Sequence, residues 1–248
     1  MDGLVRVDVS GKPLPSLEPF RGLPIDLLAA AGTLVADLEP LRGMHLQGLN
    51  LFNCTKVADL TPLRGMLLRK LLASNTLVRD LSPLAGMPLN VLSIGGANVT
   101  DLTPLGGMPL VELFVPGNPN LKDCSPLKRH AARETPVVNL AALRGLPLEI
   151  LSLQRTSITD LSAVQGAPLK EINLRGCNKL TDFSPVLTLS RLEWLTCDVL
   201  HRELASLRQS KTLQTIDADA YPGEGAKGPR PIGEFWAAYD AQQAAGAK

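Results

Sequence analysis

A phrase recurs along this chain: Asp-Leu-Ser/Thr-Pro-Leu-x-Gly. It stands as DLTPLRG at 59–65, DLSPLAG at 80–86 and DLTPLGG at 101–107. Looser copies occupy 17–23, 37–43, 123–129, 139–145, 160–166 and 182–188, starting 20 to 22 residues apart except for one short interval of 16. A fixed period of this length marks a stack of small units, each unable to bury its own apolar face. Stacks of this kind build long surfaces for binding and seldom hold catalytic machinery.

Between the phrases lies a second pattern, Leu-x-x-Leu-x-Leu. It reads Leu46-Leu49-Leu51, Leu89-Leu92-Ile94, Leu110-Leu113-Val115, Leu148-Leu151-Leu153 and Leu169-Ile172-Leu174. The Leu-x-Leu part alternates as a short strand does, one side inward and the other outward. Ser82-Pro83 and Thr103-Pro104 read as a helix start, with the hydroxyl capping open amides and proline tolerated in the first turn. Gly86 and Gly107 suit a left-handed stop, leaving room for a single 3-10 or α turn. A second proline, as in Met87-Pro88-Leu89, then drives the chain to extended geometry. Aromatic residues make up 4% of the chain, so leucine has to fill the interior.

These motifs resemble the leucine-rich repeat, with Thr33, Cys54, Thr76, Ala97, Asn118, Thr156 and Cys177 in the ladder slot that follows each strand. The period and its Val/Ile-x-Asp-Leu-Ser/Thr-Pro-Leu ending are similar to the internalin-type bacterial subclass. The Gly-Met-Pro-Leu links and the closing Glu234-Phe235-Trp236-x-x-Tyr239-Asp240 resemble planctomycete-type repeat arrays, which often accompany Ser/Thr kinases. The resemblance implies an α/β solenoid, a curved right-handed stack of nine or ten rungs. One parallel β-sheet would line the concave side and short 3-10 or α turns the convex side. Residues 1–22 are expected to form a cap strand and first turn, 23–220 the repeats, 221–230 a Gly/Pro linker, and 231–248 a capping helix and tail. The interval from Asp123 to Asn139 is 16 residues, so an irregular rung is expected near 124–138, with the strand slot kept and convex turn lost.

Lys and Arg number 25 against 24 Asp and Glu. That balance exerts no net pull toward nucleic acid or anionic membrane. No apolar stretch approaches a membrane span and the first ten residues lack a signal-peptide pattern, so the expectation is a cytoplasmic monomer. Cys54 and Cys177 are about six rungs apart, too far for a disulfide. Cys54, Cys124, Cys177 and Cys197 all read as buried free thiols.

Candidate chemistry is sparse. Asp37, Asp59, Asp80, Asp101, Asp123, Asp160 and Asp182 each stand alone in a turn, a pattern that fits local backbone bonds better than a calcium site. His45, His130 and His201 lack zinc spacing. The glycines Gly223, Gly225 and Gly228 match a dinucleotide fingerprint, but Pro229 and Pro231 deny them a helix. Arg21, Arg42 and Arg64 form an outer column expected to pair with Glu18 and Glu39. No cofactor, metal or catalytic residue is expected; an enzyme using Cys197 and His201, or a nucleotide on the glycine loop, is the alternative from another class.

The concave face is the best candidate. Asn50, Phe52, Lys70, Leu72, Val91, Glu112, Phe114, Ile150, Glu171, Asn173 and Trp194 are expected there. Several are apolar where the repeat does not require it, as on a protein or peptide docking surface. Phe235, Trp236 and Tyr239 cluster on one side of the last helix, either as a second docking motif or as the cap over the final rung.

Overall fold

The computed structural model describes residues 4–121, 140–198, 202–219 and 230–246. Ten short parallel strands lie side by side in chain order: β1 (Arg6–Asp8), β2 (Leu27–Ala29), β3 (Gly48–Asn50), β4 (Lys70–Leu72), β5 (Val91–Ser93), β6 (Glu112–Phe114), β7 (Ile150–Ser152), β8 (Glu171–Asn173), β9 (Trp194–Asp198) and β10 (Thr215–Asp219). The sheet closes with β11 (Arg230–Pro231), which runs antiparallel to β10. Helix α1 (Ile232–Gly246) follows at once. The open solenoid has this sheet on its concave side and short 3-10 turns, such as Thr61–Leu63, Ser82–Leu84 and Thr103–Leu105, on its convex side.

The middle residue of each three-residue strand is the second leucine of Leu-x-x-Leu-x-Leu. Leu28, Leu49, Leu71, Leu92, Leu113, Leu151 and Ile172 are all buried, while the residues on either side point outward. The strands thus begin one residue earlier than the Leu-x-Leu count places them. The other leucines of the motif (Leu46, Leu68, Leu89, Leu110, Leu148, Leu169) complete one continuous core. Fully burying each such side chain is worth about 1.5–3 kcal/mol, but only against the neighbouring rung.

The chain turns into each ladder slot through a left-handed residue: Gly32, Asn53, Asn75, Gly96, Gly117, Arg155 and Gly176 all have positive φ. Glycine and asparagine adopt this conformation cheaply; Arg155, at φ 57°, carries the strain that they avoid. The ladder residue then caps a carbonyl at the strand's end. Thr76 Oγ1 donates to the Ala73 carbonyl at 2.8 Å, Thr156 Oγ1 to Leu153 at 2.7 Å, and Cys54 Sγ to Ala30 at 3.0 Å. Asn118 does most: its carboxamide nitrogen donates to the Ile94 and Val115 carbonyls, and its oxygen accepts the Val99 amide.

The convex turns correct one expectation. Their cap is the aspartate and not the hydroxyl. Asp59, Asp80, Asp101 and Asp182 each accept the backbone amide two residues on, at 2.7–2.8 Å. The hydroxyl sits inside the turn, and in Ser82 and Ser184 it donates to the same carboxylate. Bonds from the Thr61 hydroxyl and amide hold the Asp59 carboxyl below the usual carboxylate range; those from the Ser184 amide and hydroxyl do the same for Asp182.

The expected irregular rung at 124–138, with Asp123, Cys124 and His130, lies outside the described residues, as do His201 and the linker glycines. β6 and β7 are hydrogen-bonded neighbours, Glu112 opposite Ile150 and Phe114 opposite Ser152. The sheet therefore passes directly from β6 to β7.

Candidate functional site

Each strand offers its first and third residues to the concave side. The first-position column runs Arg6, Leu27, Gly48, Lys70, Val91, Glu112, Ile150, Glu171, Trp194, Thr215. The third-position column includes Ala29, Asn50, Leu72, Ser93, Phe114, Ser152, Asn173 and Thr196. Among the expected site residues, Lys70 is exposed, Trp194 retains 40% of its surface, and Asn50, Leu72, Val91, Glu112, Phe114, Ile150, Glu171 and Asn173 are half-buried. Phe52 is the exception: it lies in the turn beyond β3, at the margin of the face, 49% exposed.

Two polar candidates are partly committed to the scaffold. The Asn50 side-chain oxygen accepts the Phe52 amide at 2.9 Å, and that of Asn173 accepts the Arg175 amide at 3.1 Å. Ser152 and Thr196 are buried and offer little to a ligand.

The two halves of the face differ. Over β1–β4 the small residues Ala29 and Gly48 leave an apolar groove of about 350 Å³ beside Leu27 and Leu72, with Arg6 and Lys70 at its ends. A Cβ at Gly48 would lie 2.7 Å from Leu27 Cδ2, so this side chain covers the glycine. Over β6–β10 carboxylates dominate. The residue just before each strand adds Glu149, Lys170 and Glu193 to the margin. Lys170 pairs with Glu149 at 2.9 Å, and Arg175 with Asp217 at 3.1 Å. Sequence reasoning missed this margin, although it repeats with the same period, because it counted outward only from the Leu-x-Leu.

The C-terminal trio sits at the end of the stack. Phe235 and Tyr239 are buried, and their rings, with Trp236, are packed at centroid distances of 4.9–6.1 Å. The Arg208 guanidinium lies 4.7 Å from the Trp236 ring centre and pairs with Asp240. On the convex side Arg21 and Arg42 make two-pronged bonds to Glu18 and Glu39. These pairs are exposed and contribute little.

Cys54, Cys177 and Cys197 are buried free thiols. Burial pushes the Cys177 thiol up, and that of Cys197 up to about 12. A thiol so placed holds almost no thiolate at neutral pH and makes a poor nucleophile. Cys197 is therefore expected to react with a disulfide reagent only as fast as the last rungs open. Stopped-flow thiol titration of the native chain would show a burst if the residue were instead poised for catalysis. Among the described residues no group of three or more His, Cys, Asp or Glu is placed to hold a metal ion, and no helix is long and apolar enough to cross a membrane.

No protein-family model matches the chain, and no curated protein is similar to it in sequence. Solved structures are similar. An internalin (inlF) from Listeria monocytogenes str. 4b F2365 superposes with a TM-score of 0.54 at 19% identity, over 82% of this chain. The chain spans 64% of that protein's length. Internalin C2 (inlC2) from the same strain gives a TM-score of 0.49 at 22% identity, over 78% of this chain and 80% of its own. Together with the strand order and the 3-10 turns, the inlF likeness shows the fold: a leucine-rich repeat solenoid of the kind found in internalins.

Proposed function

We propose that the chain is a non-catalytic interaction module that holds a protein or peptide against its concave face. The observation that carries this is the set of apolar side chains outside the core: Leu72, Phe114 and Ile150 half-buried and Trp194 more open, on the solvent side of strands whose middle residues already fill the interior. A rigid sheet presenting aromatic and aliphatic anchors among charges has the make-up of a binding hot spot. In this reading the module works as a monomer in a reducing compartment, and its buried free thiols suit that compartment. A Ser/Thr kinase or other signalling enzyme as neighbour is the finer form of the same reading. It rests on the resemblance to planctomycete-type arrays, and co-purifying kinase activity tests it.

The main test is capture from host lysate by wild type and by a variant carrying Leu72→Glu, Phe114→Glu and Trp194→Glu, with folding checked by circular dichroism. A partner held by wild type is expected to be lost by the variant, at about 2 kcal/mol per anchor removed. Equal retention by both would take the concave face out of the reading.

A further inference from the structure

From β5 to β9 the first-position column follows a rule of its own. In register it reads Val91, Glu112, Ile150, Glu171, Trp194. Apolar and acidic residues alternate, one per rung. Adjacent strands are about 4.8 Å apart, so the two carboxylates stand about 10 Å from each other with Ile150 between them and an apolar residue beyond each. Lys170 answers Glu149, and Arg175 answers Asp217. No ion pair of Glu112, Glu171 or the exposed Glu193 is recorded among the described residues. Such a column leaves negative charge to be matched from outside.

We propose that this column binds a basic amphipathic helix of a partner protein, lying along the solenoid axis and across the strands. The inference rests on the reading of the concave face as the docking surface and names the partner's chemistry. The spacing selects a helix. Residues at i, i+3/i+4 and i+7 of an α-helix advance about 5.3 Å per step along one stripe, close to the rung spacing. Same-side residues of an extended peptide recur about every 6.7 Å and fall out of step by the second rung. A strand could also make no ladder bonds here, because the face presents side chains and the sheet's backbone groups are paired within it. The complementary stripe is apolar, Lys or Arg, apolar, Lys or Arg, apolar. Its basic residues meet Glu112 and Glu171, the central apolar residue meets Ile150, and the end residues meet Val91 and Trp194. Nucleic acid is disfavoured by the same carboxylates.

The test uses a labelled synthetic helix of about 18 residues with leucine and arginine alternating on that stripe. Three controls accompany it: the same composition scrambled off the stripe, the arginines replaced by glutamate, and a proline placed mid-helix. Binding to the full chain is followed by fluorescence anisotropy. The stripe peptide is expected to bind roughly tenfold or more tighter than each control, and to weaken as salt rises. The E112R/E171R variant is expected to lose it and take up the glutamate peptide. If that variant does not fold, Glu112→Gln with Glu171→Gln serves, with loss of the arginine peptide expected. Equal binding of stripe and scrambled peptides, equal binding of the proline peptide, binding that survives both variants, or no binding at roughly millimolar peptide would overturn the inference. If the lysate partner is lost by the triple concave variant while the stripe peptide does not bind, the helix inference falls and the docking face stands. If no partner depends on the face, both fall.

Discussion

Replacing Asn118 with leucine is expected to lower the stability of the array by about 3–4 kcal/mol, although the new side chain branches at the same atom and has the same heavy-atom skeleton. Asn118 is wholly buried. Its carboxamide donates to the Ile94 carbonyl at 3.1 Å and to the Val115 carbonyl at 2.9 Å, and accepts the Val99 amide at 2.9 Å. Leucine can satisfy none of these groups, and each one left bare in the core costs on the order of 1 kcal/mol or more. The bonds also cross from one rung to the next, so their loss weakens coupling as well as the rung itself. Asn118→Thr is the informative companion. By analogy with Thr76 on Ala73, threonine can still reach the Val115 carbonyl, and about a third of the loss is expected to return. Urea denaturation of wild type and both variants measures this. A leucine variant within about 1 kcal/mol of wild type would mean that these groups find other partners.

The second large effect is expected at the other end and should be confined there. Phe235 is 1% exposed and packs, with Tyr239, over the last rungs. Phe235→Ala removes a buried ring whose loss costs about 3–5 kcal/mol in an ordinary core. In a stack each rung feels mainly its neighbours. Hydrogen exchange is therefore expected to speed sharply in β9, β10 and α1 while β2 to β5 keep their protection. An equal loss of protection along the whole sheet would show a single cooperative unit and refute the capping account. Arg208→Ala, which removes an exposed pair to Asp240 and the contact with Trp236, should shift the same amides by a smaller amount.

Much of the architecture could be read from the leucines alone, because burial at the first, fourth and sixth positions of a short motif repeated along the chain admits few folds. The ladder slot was legible for the same reason: small polar residues such as Thr76 and Cys54 recur where a carbonyl needs a donor. The role of the aspartates in local amide bonds was legible from their isolation. Two features were not. Capping was assigned to Ser82 and Thr103, because the residue before proline usually marks a helix start. A 3-10 turn of three residues begins at that residue instead, and its open amide is reached from Asp80 or Asp101 two positions back. The antiparallel pairing of Arg230–Pro231 also left no mark, since two residues show no periodicity. For the candidate site, the columns were legible but the margin was not. Glu193 and the Lys170–Glu149 pair stand one residue outside the counted motif.

The final strand also governs how such a molecule can change in length. β1 to β10 all run the same way, so any rung can follow any other, and a duplicated unit slots in with its hydrogen-bond pattern intact. β11 runs backwards and is tied to α1. A further rung placed on it would have to pair antiparallel, outside the parallel register by which rungs stack on one another. At this end, gain and loss of repeats is thereby directed into the body of the array, where each inserted unit lengthens the concave face by one residue in every column and leaves β11 and α1 as they are.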